Sequence, residues 1–223
     1  KYPWEKDDSA EHEIVRKVKL PWFDPGIILE GGAIDVNGSG TLLTTEECLL
    51  DPEVQVRNPN YTKADYELIF KKYLGVTNTI WLGNGIAGDD THGHVDDLCR
   101  FVNAKTIVTV VEEDEKDANY KPLQDNLKRL QQAKLEDGSS PAIVTLPMPK
   151  AINYEDLRVP ASYANFLILN KTVLVPTFND ANDRIALNTL ADLFPDREVI
   201  GIGAIDLIWG LGTLHCLSMQ LPE

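Results

Sequence analysis

The chain has 223 residues, 43% of them hydrophobic and 25% charged, proportions of a folded globular domain rather than a disordered segment. Its 21 Lys and Arg stand against 35 Asp and Glu, a net charge of −14 without a basic cluster, which disfavours nucleic acid because phosphates need grouped cations. No apolar run reaches the ~20 residues that span a bilayer, and Lys1-Tyr2-Pro3-Trp4-Glu5 lacks the basic end and apolar middle of a secretory signal, so a cytoplasmic protein without a membrane partner is expected.

Glu11 to Lys19 predicts a helix, followed by Leu20-Pro21-Trp22-Phe23. Gly26 to Val36 and Gly38 to Thr45 predict two strands joined by a tight Asn37-Gly38 turn, a dipeptide that favours hairpins. A helix follows Thr62, which can cap it while Asp65 completes a capping-box pattern; Tyr66, Ile69, Phe70, Tyr73 and Leu74 recur at helical spacing. Thr79 to Leu82 then reads as a strand. The same order returns with Val95 to Val102, Thr106 to Val111, a helix from Pro122 to about Lys134 that buries Leu123, Leu127 and Leu130, and a strand from Ala142 to Leu146. It returns again with Phe166 to Leu169, a turn at Asn170-Lys171, Thr172 to Phe178, a helix from about Asp183 to Phe194, and Glu198 to Ile202. Thr213 to Gln220 reads as one more opening strand.

Strand, strand, helix, strand thus occurs three times within a single domain, 1–223, in units of roughly 26–82, 93–147 and 162–202 with partial units at 1–25 and 210–223. Each unit needs neighbours to bury its apolar face, and in the absence of anything like a solenoid cap the expectation is a closed ring. Polar residues fall near the start of corresponding first strands: Glu30, then His94 and Asp96, then Asn165, then Cys216. Arranged about one axis, they would converge.

The three cysteines are odd in number and far apart, against both a disulfide framework and a Cys-x-x-Cys site. Cys48 and Cys99 read as small buried hydrophobes. Cys216 follows Trp209-Gly210-Leu211-Gly212, where backbone N–H groups can approach a ligand, and is the candidate nucleophile. A thiol attacks as thiolate and at a pKa near ~8.5 is barely ionised at neutral pH, so an imidazolium or a cationic substrate must activate it. Strand alternation places His94 and Asp96 on one face with Val95 behind, and turns His215 away from Cys216 as a structural residue. His92-x-His94-x-Asp96 also has metal-strand spacing, but Asp97 follows and only His12 and His215 remain, so zinc's three or four donors are not in view and no metal site is expected.

Leu29-Glu30-Gly31-Gly32, the run from Gly88 to Asp97 (Gly-Asp-Asp-Thr-His-Gly-His-Val-Asp-Asp) and Leu214-His215-Cys216 together resemble agmatine deiminases and bacterial-type peptidylarginine deiminases, over the whole chain. The resemblance implies the pentein fold, an α/β ring of strand-strand-helix-strand units with five-fold pseudo-symmetry. It implies hydrolytic deimination of a small cationic guanidino substrate, foremost agmatine to N-carbamoylputrescine and ammonia, with peptidyl arginine as the alternative and a non-catalytic, degenerate binding domain as the rival from another class. Cys216 would attack the guanidinium carbon, His94 would serve as acid and base, and Asp96 would join that catalytic set. Glu30 and Asp96 would grip the guanidinium nitrogens, with Asn165 in a minor role and no metal or organic cofactor. Homo-oligomerisation is left open.

The chain departs from the family pattern twice. It has no Arg-Asp-x-Gly-Pro stretch and no initiator Met, so the N-terminal part of the ring, with a further substrate carboxylate, is expected to lie outside this chain. Leu211 stands where relatives often show glycine.

Overall fold

The computed structural model describes residues 7–220; the opening segment read above for targeting signals lies outside them. Helix α1 (Asp7–Val18) leads into an extended stretch without strand pairing. The first sheet contains β1 (Asp35–Val36), β2 (Thr41–Thr45) and β3 (Asn78–Leu82), with α2 (Glu46–Leu50) and α3 (Lys63–Ile69) crossing between β2 and β3. The second contains β4 (Cys99–Asn103), β5 (Thr106–Val111) and β6 (Ala142–Pro147), with α4 (Tyr120–Gln132) as crossover. A small hairpin of β7 (Asn153–Tyr154) and β8 (Leu157–Arg158) precedes the third sheet: β9 (Leu167–Ile168), β10 (Thr172–Thr177) and β11 (Glu198–Gly203), crossed by α5 (Asn182–Leu193).

All three sheets share one topology. The second strand is central, antiparallel to the first and parallel to the third, as in the pairs Asp35 with Leu43 and Thr41 with Asn78. A parallel neighbour requires a crossover, which the helix provides, and burial of both faces explains why every residue of β2 is buried.

Local chemistry accounts for the boundaries. Thr62 and Asp65 form the capping box, and α3 continues through a wider turn, Phe70–Leu74, to Gly75 at φ +69°. Pro122 lies in the first turn of α4, but the buried face is Leu123, Asn126 and Leu130, with Leu127 only half-buried. Asn126 is tolerated on that face because its amide is satisfied by the loop after β3, accepting from Gly83 N (2.8 Å) and donating to Asn84 O (2.8 Å).

Four expectations are corrected. The first hairpin has a four-residue loop rather than a two-residue turn: Asn37 Oδ1 accepts from Ser39, Gly40 and Thr41 N, with Gly38 and Gly40 at positive φ. Its first strand is only two residues long, because Gly31–Ala33 forms a 3-10 turn where an extended Gly-Gly segment was expected. Val95–Asp97 is likewise a 3-10 turn, and the strand starts at Cys99. Thr213 to Gln220 forms no strand: a short 3-10 helix, Leu207–Gly210, ends with Leu211 in the left-handed region at φ +62°, and the chain then turns through Leu214–Leu217.

The sheets are locked together by a buried polar tie. Arg100 Nε donates to Asp35 Oδ1 (2.8 Å) and Arg100 Nη1 to Phe166 O (3.0 Å), while Phe101 N donates to the other oxygen of Asp35 (2.6 Å). Around it, one apolar cluster runs from Leu43 and Leu82 through Val95, Leu98 and Val110 to Phe166, Val175 and Ile208. A second, containing Ala33, Leu42, Cys48, Tyr66 and Phe70, packs under the first sheet. Among the described residues no helix is long and apolar enough to cross a membrane.

Candidate active site

The segments that depart from regular strand meet at one cavity of about 330 Å³, large enough for a small organic cation. Glu30, Gly31 and Gly32 line one side, Asp90, Thr91, His94 and Asp96 another, and Gly210 to Gly212 with His215 to Gln220 the third. A larger groove of about 490 Å³ between α3 and β3, lined by Ala64, Glu67, Lys71 and Asn78, holds none of the motif residues.

His94 is positioned by its backbone. Asp89 accepts from the N–H of Gly93 (2.8 Å) and of His94 (3.1 Å), and Thr45 Oγ1 donates to Gly93 O (2.6 Å). The approach of the Glu-Gly-Gly turn requires its glycine: a Cβ on Gly32 would lie 2.5 Å from His94 Nδ1 and 3.0 Å from Asp96 Oδ2. Glu30, at the start of that turn, is fixed by Arg57, whose Nε donates to Glu30 Oε1 at 2.9 Å and whose other nitrogens reach the carbonyls of Cys48, Gln55 and Thr91. Burial opposes ionisation of Glu30, but the His94 imidazole, 3.8 Å away, and the Arg57 guanidinium outweigh it and hold the carboxyl at about 2.

Asn165 organises the Cys216 turn. Its Oδ1 accepts from Thr213 Oγ1 (2.8 Å), His215 N (3.0 Å) and Cys216 N (3.3 Å); its Nδ2 donates to Asp97 Oδ1 (3.0 Å) and to Cys216 Sγ (3.0 Å). Cys216 Sγ lies 3.5 Å from Asp96 Oδ2, and Gly212 leaves room for it, since a Cβ there would meet the sulfur at 3.0 Å. Cys216 is exposed as a residue, yet its sulfur is packed closely enough that burial, followed by the Asp97 and Asp96 charges, pushes the thiol well above its ordinary range. Burial first, then Asp96 and Asp89, likewise raises the Asp97 carboxyl well above its usual range.

The cavity thus brings together Glu30, His94, Asp96 and Cys216, with Asn165 directly behind the sulfur. His94 and Asp96 share the cavity although Val95–Asp97 is a turn rather than a strand, with Val95 fully buried. Sequence reasoning missed Arg57, which belongs to no motif, and misplaced His215. With no strand at 213–220 alternation does not apply, and His215 Nδ1 sits 2.7 Å from Asp96 Oδ2.

Among the described residues the buried side-chain nitrogens and oxygens without a hydrogen-bond partner are Glu30 Oε2, His94 Nε2 and Asp96 Oδ1. All three belong to residues that line this cavity. Leaving such groups unpaired is costly, so their concentration at one place marks a site built to receive hydrogen bonds from a ligand. Among the described residues two donor sets are compact enough for a metal ion, Glu30 with Cys48 and His94, and Asp96 with Asp97 and Cys216; His92 belongs to neither. Burial raises the Cys48 thiol to about 12, whereas a metal binds the thiolate.

Residues 1–222 match one family, described as Porphyromonas-type peptidyl-arginine deiminase. The chain belongs to this family. An agmatine deiminase of Pseudomonas aeruginosa (strain LESB58) is 33% identical over 242 residues, covering 99% of this chain and 64% of that protein. The solved agmatine deiminase of Enterococcus faecalis superposes with a TM-score of 0.92 at 32% identity, covering 100% of this chain and 65% of its own. The C. jejuni agmatine deiminase with substrate bound does so with a TM-score of 0.89 at 35% identity, covering 97% and 63%. A dimethylarginine dimethylaminohydrolase, at TM-score 0.51 and 15% identity, shares the fold alone. The fold of this family member is therefore the pentein α/β arrangement, here as three complete strand-strand-helix-strand sheets. The chain spans just under two thirds of the length of the curated relatives it matches.

Proposed function

We propose that this chain carries the reacting groups of a hydrolase that removes ammonia from a guanidino compound, converting agmatine and water to N-carbamoylputrescine and ammonia. The observation that carries this reading is the set of unpaired buried atoms. Two carboxylate oxygens, Glu30 Oε2 and Asp96 Oδ1, and one imidazole nitrogen, His94 Nε2, border the cavity that also holds the Cys216 thiol. A guanidinium is a planar cation with N–H donors around its rim and an electrophilic carbon at its centre, and it answers both carboxylates while exposing that carbon to sulfur.

The raised thiol makes the binding step chemically useful. In the free site burial, then the Asp97 and Asp96 carboxyls, oppose a thiolate; a bound cation offsets the carboxyls' field and lets the Cys216 proton pass to His94. Sulfur then bonds to the guanidinium carbon, a C–N bond breaks, and His94 protonates the departing nitrogen as ammonia. Water, losing its proton to His94, adds to the S-alkylthiouronium; the C–S bond breaks, leaving a urea product and the free thiol. The relatives' agmatine deiminase names support agmatine as the substrate, and the apolar flanks of Leu211, Leu217 and Met219 suit its aliphatic tail.

Ammonia release measured against agmatine, arginine and a peptide ending in arginine tests it. Agmatine should be turned over, and Cys216→Ala and His94→Ala should each lower the rate by roughly 10³-fold or more. Turnover of the peptide with none of agmatine would transfer the reading to peptidylarginine deimination, and wild-type rates in either variant would remove the assigned roles.

A further inference from the structure

His215 lines the same cavity but is buried, with a side chain 8% exposed, and its ring reaches the fully buried Asp96: Nδ1 lies 2.7 Å from Asp96 Oδ2. Its backbone is fixed independently, since His215 N donates to both Oδ1 (3.0 Å) and the carbonyl (3.2 Å) of Asn165. On the far side of the ring, Gln220 Nε2 is 3.4 Å from His215 Nε2. If the amide donates there, Nε2 is the acceptor and the ring proton sits on Nδ1, directed at Asp96.

The two oxygens of Asp96 therefore have different neighbours. Oδ2 faces both His215 Nδ1 and, at 3.5 Å, Cys216 Sγ; Oδ1 is buried without a partner. We propose that His215 is a positioning residue: by donating from Nδ1 to Asp96 Oδ2, the oxygen that the Cys216 thiol also reaches, it fixes the carboxylate's rotation and presents Oδ1 to the substrate. One adjacent pair then sets both reacting partners, Cys216 by its backbone and Asp96 through the imidazole of the preceding residue. His215 touches neither the sulfur nor the substrate in this scheme and acts only through Asp96.

Two measurements test it. The first is independent of activity: ¹⁵N–¹H correlation spectra of the chain, with the His215 ring assigned by its loss in His215→Asn, report which ring nitrogen carries hydrogen. Hydrogen on Nδ1, in the neutral ring or the imidazolium, is expected; a neutral ring protonated on Nε2 alone cannot donate to Asp96 and would overturn the proposal. The second rests on the deiminase reading. His215→Ala should lower kcat/KM roughly 10- to 100-fold, chiefly through KM, while His215→Asn, whose amide can stand where Nδ1 does, should recover most of it. Equal losses in both variants with native spectra, or no loss in His215→Ala, would contradict positioning through a donor. Hydrogen on Nδ1 in a chain that turns over no guanidino compound would leave the His215–Asp96 arrangement standing and count against the deiminase reading instead.

Discussion

In the proposed reaction Cys216 carries two opposing demands: it acts as the nucleophile, yet burial and the Asp97 and Asp96 carboxyls favour its protonated form. A thiol whose pKa is raised reacts more slowly at neutrality and gains reactivity as pH rises toward that pKa, because only the thiolate attacks. Iodoacetamide alkylation of Cys216 in the free chain should therefore accelerate about tenfold per pH unit between pH 7 and 9, without levelling off. A rate already flat above pH 7 would show a thiolate in the resting site and contradict this electrostatic account. Glu30 is biased the other way. Held at about 2 beside Arg57 and His94, it stays ionised throughout the neutral range and offers a permanent negative charge to a cation.

At the scale of elements, the site is made from turns that interrupt the expected strands. The Glu-Gly-Gly turn packs against the turn holding His94 and Asp96 so closely that Gly32→Ala would place a methyl 2.5 Å from His94 Nδ1. Since displacing a reacting group by about 1 Å costs on the order of 100-fold, Gly32→Ala should lose roughly that in turnover while the chain still folds. Unchanged turnover would mean that His94 is not held where the turn places it. The regular elements were legible in the sequence because capping and periodicity are local signals: Thr62 and Asp65 form the box their spacing suggests, and Leu123 and Leu130 face inward at helical intervals. The turns were not. Alternation along a strand is a sound rule only where a strand exists, and Leu211 at φ +62° with the Asn165 hydrogen bonds sends 213–217 into a turn that carries His215 to Asp96. Glycine would be favoured at this left-handed position, because a side chain at positive φ costs about 1 kcal/mol. Arg57 was invisible for another reason: its role comes from a tertiary contact with Glu30, and no spacing announces it.

For the molecule as a whole, convergence of distant residues depends on the three sheets keeping their relative positions. The Arg100–Asp35 pair sits at that junction, with side chains 4% and 12% exposed, and joins the first and second sheets to the segment opening the third. Removing one partner of a buried pair leaves the other charge uncompensated, so Asp35→Ala should cost about 3–5 kcal/mol in urea unfolding, and adding Arg100→Met should recover a large part of it. A loss below about 1 kcal/mol would show that apolar packing alone holds the sheets together.

In the proposed site the unpaired atoms of Glu30 and Asp96 and the sulfur of Cys216 surround one planar cation. A crystal structure of Cys216→Ala soaked with agmatine tests this arrangement. The guanidinium should lie in the cavity, with N–H groups donating to Glu30 Oε2 and Asp96 Oδ1 and the central carbon facing the position of the removed sulfur. A guanidinium bound elsewhere, or one that leaves both oxygens unpaired, would contradict it.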